Sequence, residues 1–118
     1  MFIVDPETKK ITIHQGDTDS VIYHFAGFEF GTNDRVLWTM RNEKKQIVKQ
    51  HICTPEDDAV TVEFSNDDTD SLAIGTYKYD VRIVANPVYE DGKIVDGTFI
   101  TTPGSPFFVE ILPTVGQI

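Results

Sequence analysis

The sequence predicts an all-β domain: one antiparallel β-sandwich with a single short helical turn. Apolar and polar residues alternate along most of the chain, as in "GTYKYDVRIV" from Gly75 to Val84, and helical spacing is rare. Short segments rich in Gly, Asp, Asn and Pro interrupt this alternation at intervals of about eight to twelve residues. The length of 118 residues and the hydrophobic content of 40% favour one domain, residues 1–118, with one core.

The alternation places the strands in the following order. They are Lys10 to His14, Ser20 to Phe25, Arg35 to Arg41, Gln46 to Cys53, Ala59 to Phe64, Thr76 to Ala85, a hairpin from Val88 to about Ile100, and Phe107 to Leu112. Each strand has one apolar face, and two sheets packed about 10 Å apart would bury these faces together. The predicted core residues are Ile11, Ile13, Val21, Tyr23, Phe25, Val36, Trp38, Met40, Val60, Val62, Phe64, Phe107, Val109 and Ile111.

The one helical turn is predicted in "SNDDTDSL". Ser65 is suited to cap this turn, with Asp68 three residues later completing a capping box. Leu72 then folds the turn onto the core, and Gly75 releases the chain into the next strand, which begins at Thr76. The segment is therefore expected to cross from one sheet to the other.

The residues around this crossing resemble the corner of immunoglobulin-like sandwiches, in which an aromatic hydroxyl ties the crossing turn to the following strand. The resemblance rests on Asp70, Leu72, Gly75, Tyr77 and Tyr79, with Trp38 on an earlier strand. It implies that Tyr77 forms the corner and that Trp38 is the buried central Trp. Tyr23 or Phe25 and Tyr79 stand where antibody domains have their cysteine pair, as expected of bacterial and phage versions of the fold.

The order of segments along the chain adds to this resemblance. The segments "ITIHQGDTDSVIYHF", "RVLWTMRN", "AVTVEFSNDDTDSLAIGTYKYDVRI" and "VYEDGKIVDGTFITTPGSPFFVEIL" are similar to those of small immunoglobulin-like proteins encoded by phages and prophages of Gram-positive hosts. The chain is similar, in particular, to the N-terminal domain of the phage baseplate upper protein. This resemblance implies a structural part of a tail or baseplate that acts by protein contacts, without catalysis.

Charge and composition narrow the range of partners. The net charge of −9 repels a phosphate backbone, so we expect no nucleic-acid binding. The start "MFIVDPETKK" has neither a secretory signal nor a membrane anchor, so cytoplasmic synthesis without a signal peptide is expected, with the virion as a further location. No membrane partner is expected. The lone Cys53 cannot form an internal disulfide.

No catalytic, cofactor or metal site is predicted. His14, His24 and His51 lie on separate strands without paired ligands, and no serine stands in a nucleophile elbow. Three acidic loops, at residues 17–19, 56–58 and 66–70, leave calcium binding open, although the spacing of a helical calcium loop is absent.

Two groups of residues are candidate partner contacts. Phe28 and Phe30 lie in "AGFEFG", where they either form a sticky rim or cover an open end of the sandwich. Val88, Tyr89, Ile94 and Phe99 lie on the long hairpin, an edge ribbon suited to self-association or strand addition. The predicted function is a non-enzymatic structural or interaction module whose partners are other phage structural proteins or further copies. The alternative is a carbohydrate-binding or adhesion module with exposed loop aromatics.

Overall fold

The computed structural model describes residues 1–114, which form strands and one short helix. The elements are β1 (Ile3–Val4), β2 (Ile11–His14), β3 (Asp19–His24), β4 (Arg35–Arg41), β5 (Ile47–Cys53), β6 (Ala59–Phe64), α1 (Asn66–Asp70), β7 (Gly75–Glu90), β8 (Lys93–Thr101) and β9 (Phe107–Leu112). The predicted all-β class is confirmed.

Two sheets of unequal size make up the sandwich. The larger has the strand order β1-β2-β9-β7-β4-β5, with β8 also paired to β7, and the smaller consists of β3 and β6. Neighbouring strands are antiparallel, as predicted, except that β2 runs parallel to β9, with Ile11 opposite Val109. Strands β8 and β9 lie along the same edge of β7, because β9 pairs with residues 75–79 and β8 with residues 82–90.

The core lies between the two sheets and contains the apolar faces that the alternation predicted. Among the predicted core residues, Tyr23, Phe25 and Phe107 are partly buried and pack against the core, and the others are buried. Period-two alternation finds these residues because successive side chains on a strand point to opposite faces. It does not find Leu37 and Val84, which belong to the opposite set of side chains and are buried as well.

Trp38, which is 1% exposed, lies in the middle of the core. Its ring stacks on Tyr79, with centroids 5.2 Å apart, and meets the edge of Phe64 at 5.0 Å. Its Nε1 donates a hydrogen bond of 3.2 Å to Tyr23 Oη. The only indole donor of the chain is therefore satisfied inside the core, as burial of a polar group requires.

The crossing between β6 and β7 has the predicted capping box. Asp68 N donates to Ser65 Oγ and Ser65 N donates to Asp68 Oδ2, at 3.3 and 2.8 Å. Leu72 is buried, and Tyr77 Oη donates a hydrogen bond of 2.6 Å to the carbonyl oxygen of Ala73. These contacts hold the turn against the strand that follows it.

The hairpin differs from the prediction at its first strand. Strand β7 continues without a break from Gly75 through Val88 to Glu90, so the segment near Val88 is not the start of a separate strand. Asp91 and Gly92 form the turn, whereas Asp96 and Gly97 lie inside β8. The Asp-Gly pair favours positive φ values both in turns and at bulges, and the structure uses the second pair within a strand whose register shifts.

Candidate interaction surface on the β7–β8 ribbon

The end of β7 and all of β8 form a two-stranded ribbon at one end of the larger sheet. Pairing between β7 and β4 ends at Val84, opposite Arg35, so residues 85–90 have only β8 as a strand partner within the described chain. We call residues 85–101 the β7–β8 ribbon. The turn residues Asp91 and Gly92 have φ values of 52° and 76°, as a two-residue hairpin turn of type I′ requires.

Two register shifts bend the ribbon. The shifts lie between Ala85 and Val88 and between Val88 and Tyr89, and they leave Val95 and Gly97 on β8 without a Cα partner on β7. Asn86 and Gly97 have positive φ values of 51° and 144°. Bulges of this kind increase the local twist of a strand pair and redirect its side chains.

Gly97 permits the close approach of the two strands. A Cβ atom at this position would lie 2.9 Å from Val84 Cγ1 and 3.1 Å from the carbonyl oxygen of Ala85. A φ of 144° is also a conformation that residues with a side chain rarely adopt. Glycine is therefore needed here both for space and for backbone conformation.

Large apolar side chains are exposed along the ribbon. Val88, Tyr89 and Val95 are 52%, 48% and 53% exposed, and Phe99 and Ile100 are also exposed. The hairpin candidates Val88, Tyr89 and Phe99 are thus placed on the surface, whereas Ile94 is half-buried. An exposed patch of this kind is typical of a protein interaction site.

The second edge of β8 has no strand partner among residues 1–114. This edge extends over nine residues, Lys93–Thr101. An unpaired edge presents backbone N–H and C=O groups that can pair with another strand. The ribbon therefore combines unpaired backbone groups with exposed apolar side chains.

Arg82 supports the base of the ribbon. It lies opposite Thr101 in the sheet, and its guanidinium carbon lies 5.7 Å from the centroid of the Phe99 ring. At this distance a guanidinium group is attracted to the face of an aromatic ring. The contact helps to hold Phe99 in place while leaving 40% of it exposed.

Phe28 and Phe30 do not join this surface. Both are partly buried and pack against the core, and their rings meet edge to face with centroids 4.8 Å apart. Phe30 also meets the edge of Phe25 at 5.6 Å. Of the two interpretations of "AGFEFG", the structure favours the one in which these rings cover an end of the sandwich.

A further exposed aromatic side chain, which the sequence analysis did not single out, lies on the outer face of the larger sheet. Phe108 is 47% exposed and lies opposite Lys78, which in turn lies opposite Arg41. These residues line a groove of about 340 Å³, together with Pro106 and Asp80. The pair Phe107-Phe108 is the sequence signal for this group, because one of two adjacent rings on a strand must point away from the core.

Burial shifts the pKa values of Cys53 and His51. Burial raises the pKa of the Cys53 thiol to about 11, and Glu63 adds to the effect. His51 lies against the rings of Trp38 and Phe64. Burial lowers the pKa of His51, the positive charge of Lys49 lowers it further, and the negative charge of Asp68 opposes this shift. A thiol that stays protonated is a poor nucleophile and a poor metal ligand.

Several residues of the acidic loops accept hydrogen bonds from backbone N–H groups. Asp19 accepts from the backbone N–H groups of Phe2 and Ser20, which lowers its pKa, and Asp68 completes the helix cap. Within residues 1–114, no three His, Cys, Asp or Glu side chains lie close enough together to hold a metal ion. His14 and His24 lie on β2 and β3, apart from each other in the two sheets.

Comparison with models of protein families and with curated proteins found no match for this chain. No helix in the described part of the chain has both the length and the apolar character needed to cross a membrane.

Proposed function

We propose that the chain is a non-enzymatic structural and interaction module that acts through protein–protein contacts in a phage or prophage tail or baseplate. The observation that carries this proposal is the β7–β8 ribbon, where an unpaired edge of nine residues coincides with exposed apolar side chains. Proteins commonly bind partners by adding a strand to such an edge, with backbone hydrogen bonds supplying affinity.

We infer that the sandwich is of the immunoglobulin-like type. Two contacts support this: the hydrogen bond from Tyr77 Oη to Ala73 O, and the burial of Trp38 between the sheets. In immunoglobulin-like domains, a tyrosine near the start of a strand bonds to the backbone a few residues upstream in the same manner. Tyr79, which stacks on Trp38, would by this resemblance stand at the position of a cysteine in antibody domains.

A role without catalysis is supported by the state of the nucleophile and base candidates. Cys53 is buried in the core with its pKa raised to about 11, which keeps the thiol protonated, and His51 packs against the rings of Trp38 and Phe64. Among the described residues, the groove beside Phe108 is lined by side chains such as Arg41, Glu43, Lys78 and Asp80, and by no histidine or cysteine. A sandwich of this kind would act through the partners that bind to its surface.

The phage assignment is supported by the resemblance of the sequence segments to phage and prophage proteins, and it is tested on particles. Phage particles from the host that carries the gene would be purified on a density gradient and probed with an antibody against the chain. We expect the chain to sediment with tails or complete particles. Its absence from all particle fractions, with metabolic genes on both sides of its own gene, would overturn the assignment.

The alternative, a carbohydrate-binding or adhesion module, is favoured by one observation, the exposed ring of Phe108 beside the polar side chains of its groove. Phe28 and Phe30 do not provide a flat platform, because their ring planes cross at 61°. A glycan array distinguishes the two functions. Glycan binding that is lost in Phe108→Ala and kept in Tyr89→Ala would favour the alternative.

A further inference from the structure

We propose that the partner of the ribbon is a second copy of this chain, and that the two β8 strands pair antiparallel about a two-fold axis at Gly97. This inference rests on the proposed function, because it assumes that the ribbon makes protein contacts, and it names the partner. Two-fold pairing makes one edge serve as both halves of the interface.

The sequence of β8 is nearly symmetric about Gly97. Reading outward from this residue, "KIVDGTFIT" has a polar residue on each side, then two apolar residues on each side, then a polar residue again. Antiparallel pairing centred on Gly97 therefore places Ile94 opposite Ile100 and Val95 opposite Phe99, each twice. Apolar residues directly opposite one another are the pairs that stabilise an antiparallel sheet.

Registers shifted by one residue lose this match. A shift in one direction places Ile100 opposite Lys93, and a shift in the other places Phe99 opposite Asp96. Both shifts put a charged group against an apolar side chain. The centred register is thus the one that pairs all four apolar residues of each strand.

The conformation of β8 is compatible with a second strand at this edge. The register shifts leave Val95 without a partner on β7, and its side chain is 53% exposed. Gly97 has no side chain to obstruct two backbones that approach each other at the axis, and its N–H, which donates to Asp96 Oδ1 at 2.8 Å in the single chain, would exchange this partner on pairing. The second copy would cover Val95, Phe99 and Ile100, three of the apolar side chains that the single chain leaves exposed.

Asp96 works against this pairing. In the centred register it lies opposite Thr98 of the other copy and diagonal to the other Asp96, so two like charges share one face. Like charges on neighbouring strands are destabilising. Asp96→Asn is therefore expected to strengthen the dimer by more than Asp91→Asn, which lowers the net negative charge by the same amount at the hairpin turn.

The test measures the association of the full chain by light scattering coupled to size exclusion and by sedimentation equilibrium. We expect a dimer whose dissociation constant rises by about tenfold or more in Val95→Lys, because each substitution alters two cross-strand pairs. Ile22→Lys is the matched control, since Ile22 is an exposed apolar residue on β3, and it should leave the dimer unchanged. The circular dichroism of both variants verifies that they fold.

The register is tested with a mixture of isotope-labelled and unlabelled chains. Filtered nuclear Overhauser spectra should show contacts between copies from Ile94 to Ile100 and from Val95 to Phe99. A chain that stays monomeric at the highest soluble concentration would overturn the inference, as would a dimer that Val95→Lys leaves intact. A monomeric chain that still sediments with particles would refute self-pairing and leave the proposed function standing.

Discussion

Tyr77 and Ala73 are joined by a hydrogen bond of 2.6 Å from the phenolic oxygen to the backbone carbonyl, which ties the turn between the sheets to the first residues of β7. The ring of Tyr77 is buried in the core, and its hydroxyl group reaches the turn. One side chain thus links the geometry of the crossing to the packing of the sandwich.

Replacing Tyr77 by Phe removes this bond and keeps the ring. We expect Tyr77→Phe to lower the free energy of unfolding by about 1 kcal/mol, the usual net value of one hydrogen bond. Urea unfolding followed by tryptophan fluorescence measures the change. Tyr89→Phe is the control, because Tyr89 is 48% exposed on the ribbon, and an equal loss in both variants would contradict a special role for Tyr77.

Substitution of Gly97 tests the close approach of β7 and β8. We expect Gly97→Ala to cost about 1–3 kcal/mol more than Gly75→Ala, because its methyl group would press on Val84 in addition to straining the backbone. Gly75 has a φ of 151°, close to that of Gly97, with no atom within 4 Å of an added Cβ, so it controls for backbone strain alone. Equal destabilisation in urea would show that the contact with Val84 can relax.

His51 makes stability depend on pH. Its pKa in the folded chain lies below the ordinary value of 6.5, so the unfolded chain binds more protons between these two values. The stabilising contribution of the neutral ring is fully present above pH 6.5 and is lost as the pH falls from there through the lowered pKa.

The measurement compares urea midpoints at about pH 8 and about pH 5.5 for the wild type and for His51→Gln. We expect the wild type to lose more stability across this interval than the variant does. The lowered pKa values of Asp5 and Asp19 act below this interval, because these carboxyl groups start from 3.8. An equal loss of stability in the wild type and in His51→Gln would contradict the placement of His51 against the core.

Cys53 is expected to be chemically inert in the folded chain. It is buried, and its pKa is raised to about 11, so the thiolate is scarce near neutral pH. A disulfide reagent such as Ellman's should react with it slowly in buffer and rapidly in urea. A variant with Ser20→Cys and Cys53→Ala gives the rate of an exposed thiol, and a wild-type rate equal to it would contradict the burial of Cys53.

Much of the fold could be predicted because strands with one buried face have a strong local signal. Val36, Trp38 and Met40 show this signal, and all three are in the core. The pairing of β1 with β2 and the parallel pairing of β2 with β9 have no such signal, since they join segments whose contacts depend on the assembled sheet. The burial of Leu37 was not predicted, because alternation assigns one buried face to each strand and both faces of β4 are buried.

The candidate site was predictable in part. The position of the ribbon followed from the length of the hairpin and from its exposed apolar residues, such as Tyr89 and Phe99. Its unpaired edge and the close contact at Gly97 depend on which strands lie beside β8, and sequence alternation does not specify neighbours. Phe28 and Phe30 illustrate the converse: aromatic residues in a loop can face either way, and the packing of Phe25 against Phe30 decides between them.

Hydrogen exchange of the chain, diluted until it is monomeric and in assembled particles, tests most directly whether the ribbon is the contact surface. Mass spectrometry would follow the backbone amides of β8, Lys93–Thr101, in both states. We expect these amides to exchange markedly more slowly in the particle, because a partner strand there would satisfy the unpaired edge. Unchanged exchange in β8, with new protection around Phe108 instead, would contradict the proposed interaction surface.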